Sequence, residues 1–280
     1  MRSLLSVPAS KPSMMLKALT TAADEIIIDL EDSVILFEKP KGRENIAEFL
    51  TNLSSTKKFT VRINERGSPE NAADLELVNS LAATQLLTVM LPKVGSLDDL
   101  LFWEKLLPSR FDFEVQIESA LGLLNCAAIA AHPRVRSLSF GPADFMASIG
   151  MPSSEPGTPW KETPRALEYA LLKIVIAAHA YQKLAYDGPY FLIADSEGLT
   201  VSARTARALG ADGKWAIHPN QIQICNDAFT PTEDEIFRAE EIINVFNSST
   251  GAVSLNGLMV DEASKKVAEA FLERVRRFGG

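Results

Sequence analysis

Two carboxylates each close an apolar run: Glu118 ends FEVQIES and Asp144 ends SLSFGPAD. Each run is followed by a helical pattern, so each reads as a buried parallel strand leading into a helix. A carboxylate at the carboxyl end of such a strand faces the mouth of an α/β fold, where ligands bind. Two of them on neighbouring strands suit one hard cation such as Mg²⁺, which prefers oxygen ligands. Either acid alone equally suits a cap on the helix that follows. The other strand ends weigh on this choice. They hold Asp29, Glu31 and Asp32 after the second run, Arg62 and Asn64 after the third, and Pro92 and Lys93 after the fourth. Asp187 and His218 follow the seventh and eighth. Two carboxylates with Arg62 form a set that binds an oxo acid on Mg²⁺, the arginine supplying planar, charge-assisted hydrogen bonds. No Ser/His/Asp order stands out and no Cys lies at a strand end. With no lysine read inside a strand, a Schiff-base enzyme is not expected, although Lys93 stays open. His218–Pro219 reads as shaping the last strand–helix turn, Asp187 as structural, and Trp160 and Trp215 as packing residues.

The elements that must position these residues repeat along the chain. Apolar runs at 3–8, 25–32, 59–64, 86–94, 113–119, 137–144, 184–190 and 213–219 alternate with helical patterns. The helices are expected at 13–23, 41–53, 71–83, 97–107, 120–131, 164–182, 196–209 and 219–228. Eight strand–helix units predict a (β/α)₈ TIM barrel over residues 1–230. An open doubly wound sheet is the competing solution, but VPASKPS after the first strand is not a glycine-rich phosphate turn. The Pro/Ser/Gly-rich segment 150–164 is a lid candidate or a plain surface loop. Residues 231–280 are expected to form a C-terminal helical extension that contacts a neighbouring subunit. It opens at Thr232 with a T-x-x-E capping box to Glu235, followed by a loop and a last helix over 260–278.

Composition bounds the function class. The chain has 280 residues, 46% hydrophobic and 23% charged, with net charge −8. That acidity argues against non-specific nucleic-acid binding. Two cysteines and three histidines leave no disulfide framework, zinc site or His-rich metal site. No signal peptide or membrane-spanning stretch is read, so a cytoplasmic protein is expected.

An ordered series of motifs carries a resemblance over almost the whole chain. It runs through RSLLSVP at 2–8, IIDLEDSV at 27–34, VRIN at 61–64 and LPKV at 91–94. IESALGLLN at 117–125, FGPADFMASIG at 140–150, GKWAIHPNQI at 213–222 and AFTPT at 228–232 continue it. In these the chain resembles the citrate lyase beta-subunit-like family of acyl-CoA lyases, which includes malyl-CoA and citramalyl-CoA lyases, in the phosphoenolpyruvate/pyruvate barrel superfamily. The resemblance implies Mg²⁺ held by Glu118 and Asp144, and Arg62 on the oxygens of the substrate. It implies Asp29 and Glu31 at the mouth, and Gly141 and Pro142 where backbone approaches the oxo acid. Lys39 and Arg43 match basic residues that meet phosphates or the acyl chain. Asp261 of LMVDEA matches an aspartate that, in relatives, reaches a neighbour's active site in a trimer and acts as acid/base on the acetyl carbon. The chain departs from the family pattern at Ala9–Ser10, at Gly141–Pro142–Ala143–Asp144, where a Glu often precedes the Asp, and at Ala263, where a Pro is common.

The expectation is therefore a Mg²⁺-dependent carbon–carbon lyase acting on a CoA thioester such as citramalyl-, malyl- or citryl-CoA, releasing acetyl-CoA and an oxo acid, from a trimer or hexamer. The alternatives are a lyase subunit served by an acyl-carrier protein, a pyruvate-dependent aldolase on free aldehydes, and a non-catalytic metabolite-binding barrel.

Overall fold

Near-continuous apolar strands need cover on both faces, and a ring of helices around a closed sheet supplies it. The computed structural model describes residues 1–81, 84, 86, 88–155, 158–159, 165–249 and 251–278. Its first strands are β1 (Ser3–Pro8), β2 (Glu25–Asp29), β3 (Lys58–Arg62), β4 (Thr88–Leu91), β5 (Asp112–Ile117) and β6 (Val135–Phe140). A short antiparallel pair follows, β7 (Ser153–Glu155) and β8 (Thr158–Pro159), and then β9 (Leu184–Asp187) and β10 (Gly213–Ala216). Apart from that pair, the strands are parallel and close a barrel in the order β1-β10-β9-β6-β5-β4-β3-β2. This is the TIM barrel that the alternation predicts.

The helices of this unit are α1 (Pro12–Ala18), α2 (Lys39–Thr51), α3 (Asn71–Ser80), α4 (Leu97–Leu106), α5 (Ala120–Ala130), α6 (Pro142–Ser148), α7 (Ala166–Ala180), α8 (Ser196–Ala208) and α9 (Pro219–Phe229). Strand residues such as Ile26, Ile28, Val61, Val89 and Val115 are fully buried in one cluster with helix residues Ile46, Trp103, Ile129 and Ile174. Each such side chain contributes roughly 1.5–3 kcal/mol by leaving water. Inside the barrel, Leu4, Ile27, Met90, Tyr186 and Trp215 form a second cluster.

Residues Met1–Phe229 and Thr230–Gly280 are two compact units. The second contains α10 (Glu233–Asn247), β11 (Val253–Leu255), β12 (Leu258–Val260) and α11 (Glu262–Phe278). The Thr232–Glu235 capping box is present, with Thr232 N–H donating to Glu235 at 2.8 Å and Glu235 N–H to Thr232 Oγ1 at 3.2 Å. The loop expected before the last helix is instead a hairpin. Asn256 and Gly257 both take positive φ, 50° and 81°, which matches the twist of two-residue hairpin turns.

Other expectations shift with physical cause. Asp144 does not end a strand: β6 stops at Phe140, Gly141 turns the chain, and Pro142 starts α6 with Asp144 in its first turn. A lysine does lie in a strand: Lys214 of β10 is buried, bonded to Asp187 and to Gly188 O at 2.8 Å. Of the lid-candidate segment, residues 156–157 and 160–164, Trp160 among them, lie outside the described residues. No described helix is long and apolar enough to cross a membrane.

The barrel floor holds a buried acid pair. Glu114 accepts from Ser137 and Ser139 hydroxyls at 3.0 and 2.9 Å, and Glu25 accepts from Thr60. Burial, then the charge of Glu25, pushes the Glu114 carboxyl up to about 8. The native state thus keeps a proton that the unfolded chain, with Glu near 4.5, has lost. This contribution to stability is full below about 4.5 and is lost as pH rises through about 8. Chemical denaturation from pH 5 to 9 is expected to show stability falling over that window, and Glu114→Gln, neutral throughout, to flatten the fall.

Candidate active site

The mouth is organised around a buried ion pair. Asp29 ends β2 and Arg62 ends β3, and the two are direct partners in the strand register. Arg62 donates from Nε to Asp29 Oδ1 at 2.6 Å and from Nη2 to Oδ2 at 2.7 Å, a bidentate fork. Asp29 also accepts the N–H groups of Glu31 at 2.9 Å and Ser33 at 3.1 Å, which folds the loop after β2 over the mouth. Burial opposes ionisation of Asp29, but the Arg62 charge and these hydrogen bonds outweigh it and hold its pKa below the usual range. Arg62 also donates from Nη1 to Gln116 Oε1 at 3.2 Å and lies over the Trp215 ring, 5.6 Å from its centroid.

Glu31 and Glu118 are less satisfied. Glu31 is buried, with Oε2 3.0 Å from Arg62 Nη1 and Oε1 2.9 Å from Lys93 Nζ. Both are ion-pair distances without hydrogen-bond alignment, so neither oxygen has a well-formed donor among the described residues. Burial pushes its carboxyl up to about 7, against the pull of Arg62 and Lys93. Glu118 lies one residue past β5. Its Oε1 accepts the Lys93 N–H at 2.7 Å, while Oε2 is buried and has no partner among the described residues. Burial, then the charges of Glu31 and Asp144, pushes its carboxyl up to about 8. The Lys93 residue that donates this N–H has a left-handed backbone, φ 53°, a conformation that costs energy for a residue with a side chain.

Asp144 of α6 completes the set. No hydrogen bond to its carboxylate is found among the described residues. Burial, then the nearby Asp32, raises its pKa, with Lys93 and Arg62 pulling the other way. No three His, Cys, Asp or Glu side chains among the described residues are arranged to hold a metal by themselves. Two carboxylates with one orphaned oxygen are nevertheless a fitting donor set for Mg²⁺, which is bound through one or two carboxylates, waters and substrate oxygens.

The structure brings Asp29, Glu31, Arg62, Glu118, Gly141, Pro142 and Asp144 to this mouth. Lys39 of α2 donates inside the protein, and Arg43 of α2 pairs with two acids through Nη1. Lys39 Nζ donates to Leu30 O at 3.0 Å, Glu31 O at 3.1 Å and Asn64 Oδ1. Arg43 pairs with Asp74 and Glu70, each at 2.9 Å. Asp74 in turn accepts from Asn64 N and Nδ2, so the α2 cations brace the loops after β2 and β3. In the second unit, Asp261 Oδ1 accepts from Ser264 N–H and Oγ, both at 2.9 Å, as the cap of α11. His218 accepts from Asn220 N–H at 3.2 Å, a turn-shaping role. Gln116 was missed by the sequence reading: alternation puts it on the face of Glu118, but only the fold brings it to Arg62. The part of Lys93 as a clamp on Glu118 also depends on a backbone angle that sequence does not show. A cavity of about 270 Å³ lies between α7 and α8, lined by Leu171, Thr205 and Leu209, and reaches Lys214 and Pro142.

Comparison with known proteins gives four findings. The family model for HpcH/HpaI aldolase/citrate lyase matches residues 2–219. An L-malyl-CoA/beta-methylmalyl-CoA lyase of Cereibacter sphaeroides is 34% identical over 299 residues, covering 95% of this chain and 92% of that protein. Among solved structures, the protein CitE from Mycobacterium tuberculosis in complex with magnesium, acetoacetate and coenzyme A aligns with TM-score 0.82 and 33% identity, over 99% of this chain and 100% of that one. A citrate lyase beta subunit from the same organism, complexed with oxaloacetate and magnesium, aligns at TM-score 0.70 and 33% identity, over 82% of this chain and 97% of that one.

Glycine at 141 is required by the geometry. A Cβ there would overlap Glu118 Oε2 and Cβ. Gly141→Ala is expected to push the Glu118 carboxylate aside and weaken Mg²⁺ binding by about 10–100-fold in calorimetric titration, with far-UV circular dichroism unchanged.

Proposed function

The chain belongs to the HpcH/HpaI aldolase/citrate lyase family and is a carbon–carbon lyase, and from that premise we propose that it cleaves a 3-hydroxyacyl-CoA thioester, citramalyl-, malyl- or citryl-CoA, to acetyl-CoA and an oxo acid. The observation that carries this reading is the orphaned, buried oxygen of Glu118. It sits with Asp144 beside an arginine already aimed by its fork with Asp29. Glu118 and Asp144 would hold Mg²⁺, as the magnesium in the CitE structures supports. Bound there, the ion supplies Lewis acidity to the carboxylate and hydroxyl oxygens of the acid half.

The remaining work falls to the side chains. Arg62 holds the acid half and stabilises negative charge as its hydroxyl becomes a carbonyl. Glu31, with a pKa raised to about 7, is the group suited to take the hydroxyl proton. The bond between the carbinol carbon and the thioester α-carbon breaks, and its electron pair moves into the thioester enolate. Asp261 of a neighbouring copy in a homo-oligomer would then return a proton to that carbon. Lys93 and Trp215 keep Glu31, Glu118 and Arg62 in place.

A second reading, an acyl-carrier-protein thioester as substrate, is favoured by one observation. The loop after β2 exposes the adjacent Leu36 and Phe37, 62% and 81% accessible, an apolar patch of the kind a carrier would use.

A panel of hydroxyacyl-CoA thioesters, followed by oxo-acid and acetyl-CoA release, tests both readings. Cleavage of free thioester in MgCl₂ that stops on EDTA addition is expected, and activity untouched by EDTA would sink the metal assignment. Glu118→Gln and Asp144→Asn are each expected to lower kcat/KM by about 100-fold or more. Cleavage of carrier-bound thioester alone would select the second reading.

A further inference from the structure

We propose that Ser139 is a positioning residue for this site: its hydroxyl tethers the Trp215 indole, and the indole supports the face of Arg62. The assignment deepens the lyase reading and rests on it. The three residues are far apart in the chain. Arg62 ends β3, Ser139 lies in β6 and Trp215 lies in β10. All three are buried, Ser139 completely. Trp215, a packing residue by sequence, is therefore also a link between two polar groups.

The hydrogen bonds run in one direction. An indole N–H only donates, and a serine hydroxyl has a single hydrogen to give. Ser139 gives its hydrogen to Glu114 Oε1 at 2.9 Å. Its oxygen is then left to accept from Trp215 Nε1 at 3.3 Å. Ser137, two residues earlier on the same face of β6, donates to Glu114 Oε2 at 3.0 Å. The carboxyl that orients Ser139 is thus held on both oxygens. Through one serine and one ring, the buried acid of the barrel floor reaches the arginine of the mouth.

Arg62 needs what this tether supplies. Its Nε, Nη2 and Nη1 donate along the edges of the guanidinium, to Asp29 and Gln116. Edge contacts fix where the fork points, whereas a contact on its face fixes its tilt. The Trp215 ring makes that contact, with its centroid 5.6 Å from Arg62 Cζ. Leu4, Ile27, Met90 and Tyr186 cluster with the indole, but apolar neighbours set no direction for its N–H. The bond to Ser139 does, and it is the one hydrogen bond of the indole among the described residues. A buried indole N–H that loses its partner turns toward another. The ring that turns takes the tilt of Arg62 with it, and a charge-stabilising donor works only when it is aimed before the reaction.

A double-mutant cycle separates a tether from general packing. Ser139→Ala, Trp215→Phe and the double variant would each be checked for a cooperative melt, then assayed in MgCl₂ on the thioester that wild type cleaves. Ser139→Ala is expected to lower kcat/KM about three- to tenfold in the wild-type background, the range of one hydrogen bond. Trp215→Phe keeps a ring but has no N–H to hold. In that background the same substitution is expected to cost less than about twofold. With fluorotryptophan incorporated, Ser139→Ala is also expected to shift the fluorine resonance that Trp215→Phe deletes, and to leave that of Trp103 in place. Equal losses in both backgrounds would show that Ser139 acts through packing alone and would overturn the proposal. So would full activity of folded Ser139→Ala, or an unmoved Trp215 resonance. Should the double variant not fold, the resonance and the single variants decide. Wild type that cleaves no thioester of the panel would remove the lyase reading itself, and this role with it.

Discussion

The buried fork between Asp29 and Arg62 is the interaction on which the rest of the mouth depends. The two residues end adjacent strands in direct register, and two short, parallel hydrogen bonds join them. Neither charge has much water to fall back on, so losing either partner would leave the other buried and uncompensated, at a cost of about 3–5 kcal/mol. Because Asp29 is saturated by Arg62 and by two loop N–H groups, it also fixes the loop that carries Glu31. Because Nε and Nη2 of Arg62 are spent on Asp29, its remaining Nη1 is directed at Gln116 and Glu31. One pair thus sets the strand ends, the loop and the aim of the guanidinium together.

Once that pair is neutral, the charges around it do not balance. Glu31 lies within reach of Arg62 and Lys93, but among the described residues Glu118 and Asp144 have no cation of their own at comparable distance. Their raised pKa values express the same imbalance: each carboxyl holds a proton more readily than it would in water, because burial and neighbouring acids disfavour its charge. A divalent cation does what the proton does, with more charge and more ligand positions. The left-handed Lys93 backbone points to the same demand. The chain accepts strain at a non-glycine residue to place an N–H on one Glu118 oxygen, and leaves the other open.

The Glu118 and Arg62 positions were legible in the sequence because they follow from periodicity. An apolar run of known length ends at a definable residue, and a barrel collects such ends at one mouth. The same logic placed the eight-strand closure and the Thr232 cap. It failed where a single backbone turn decided the outcome. Asp144 sits in a helix because Gly141 bends the chain and Pro142 starts a new element. The Asn256–Gly257 hairpin was signalled by its turn residues but looked like a loop, since its strands are only three residues long. Lys39 and Arg43 were legible as cations, while their partners across two loops were not.

By itself, then, the sequence determined the barrel, the order of its strands along the chain, and which acids and arginine reach its mouth, since hydrophobic period and motif order are local properties of a linear text. Only the tertiary structure decided which of those charges are already satisfied. Asp29 is spent on Arg62, Lys39 and Arg43 on loop carbonyls and acids, and Glu118 keeps one oxygen free. Satisfaction is a matter of distances between residues far apart in the chain. The amide oxygen of Gln116, unremarkable in FEVQIES, meets an Arg62 donor only because the closed barrel brings β3 and β5 to one interior.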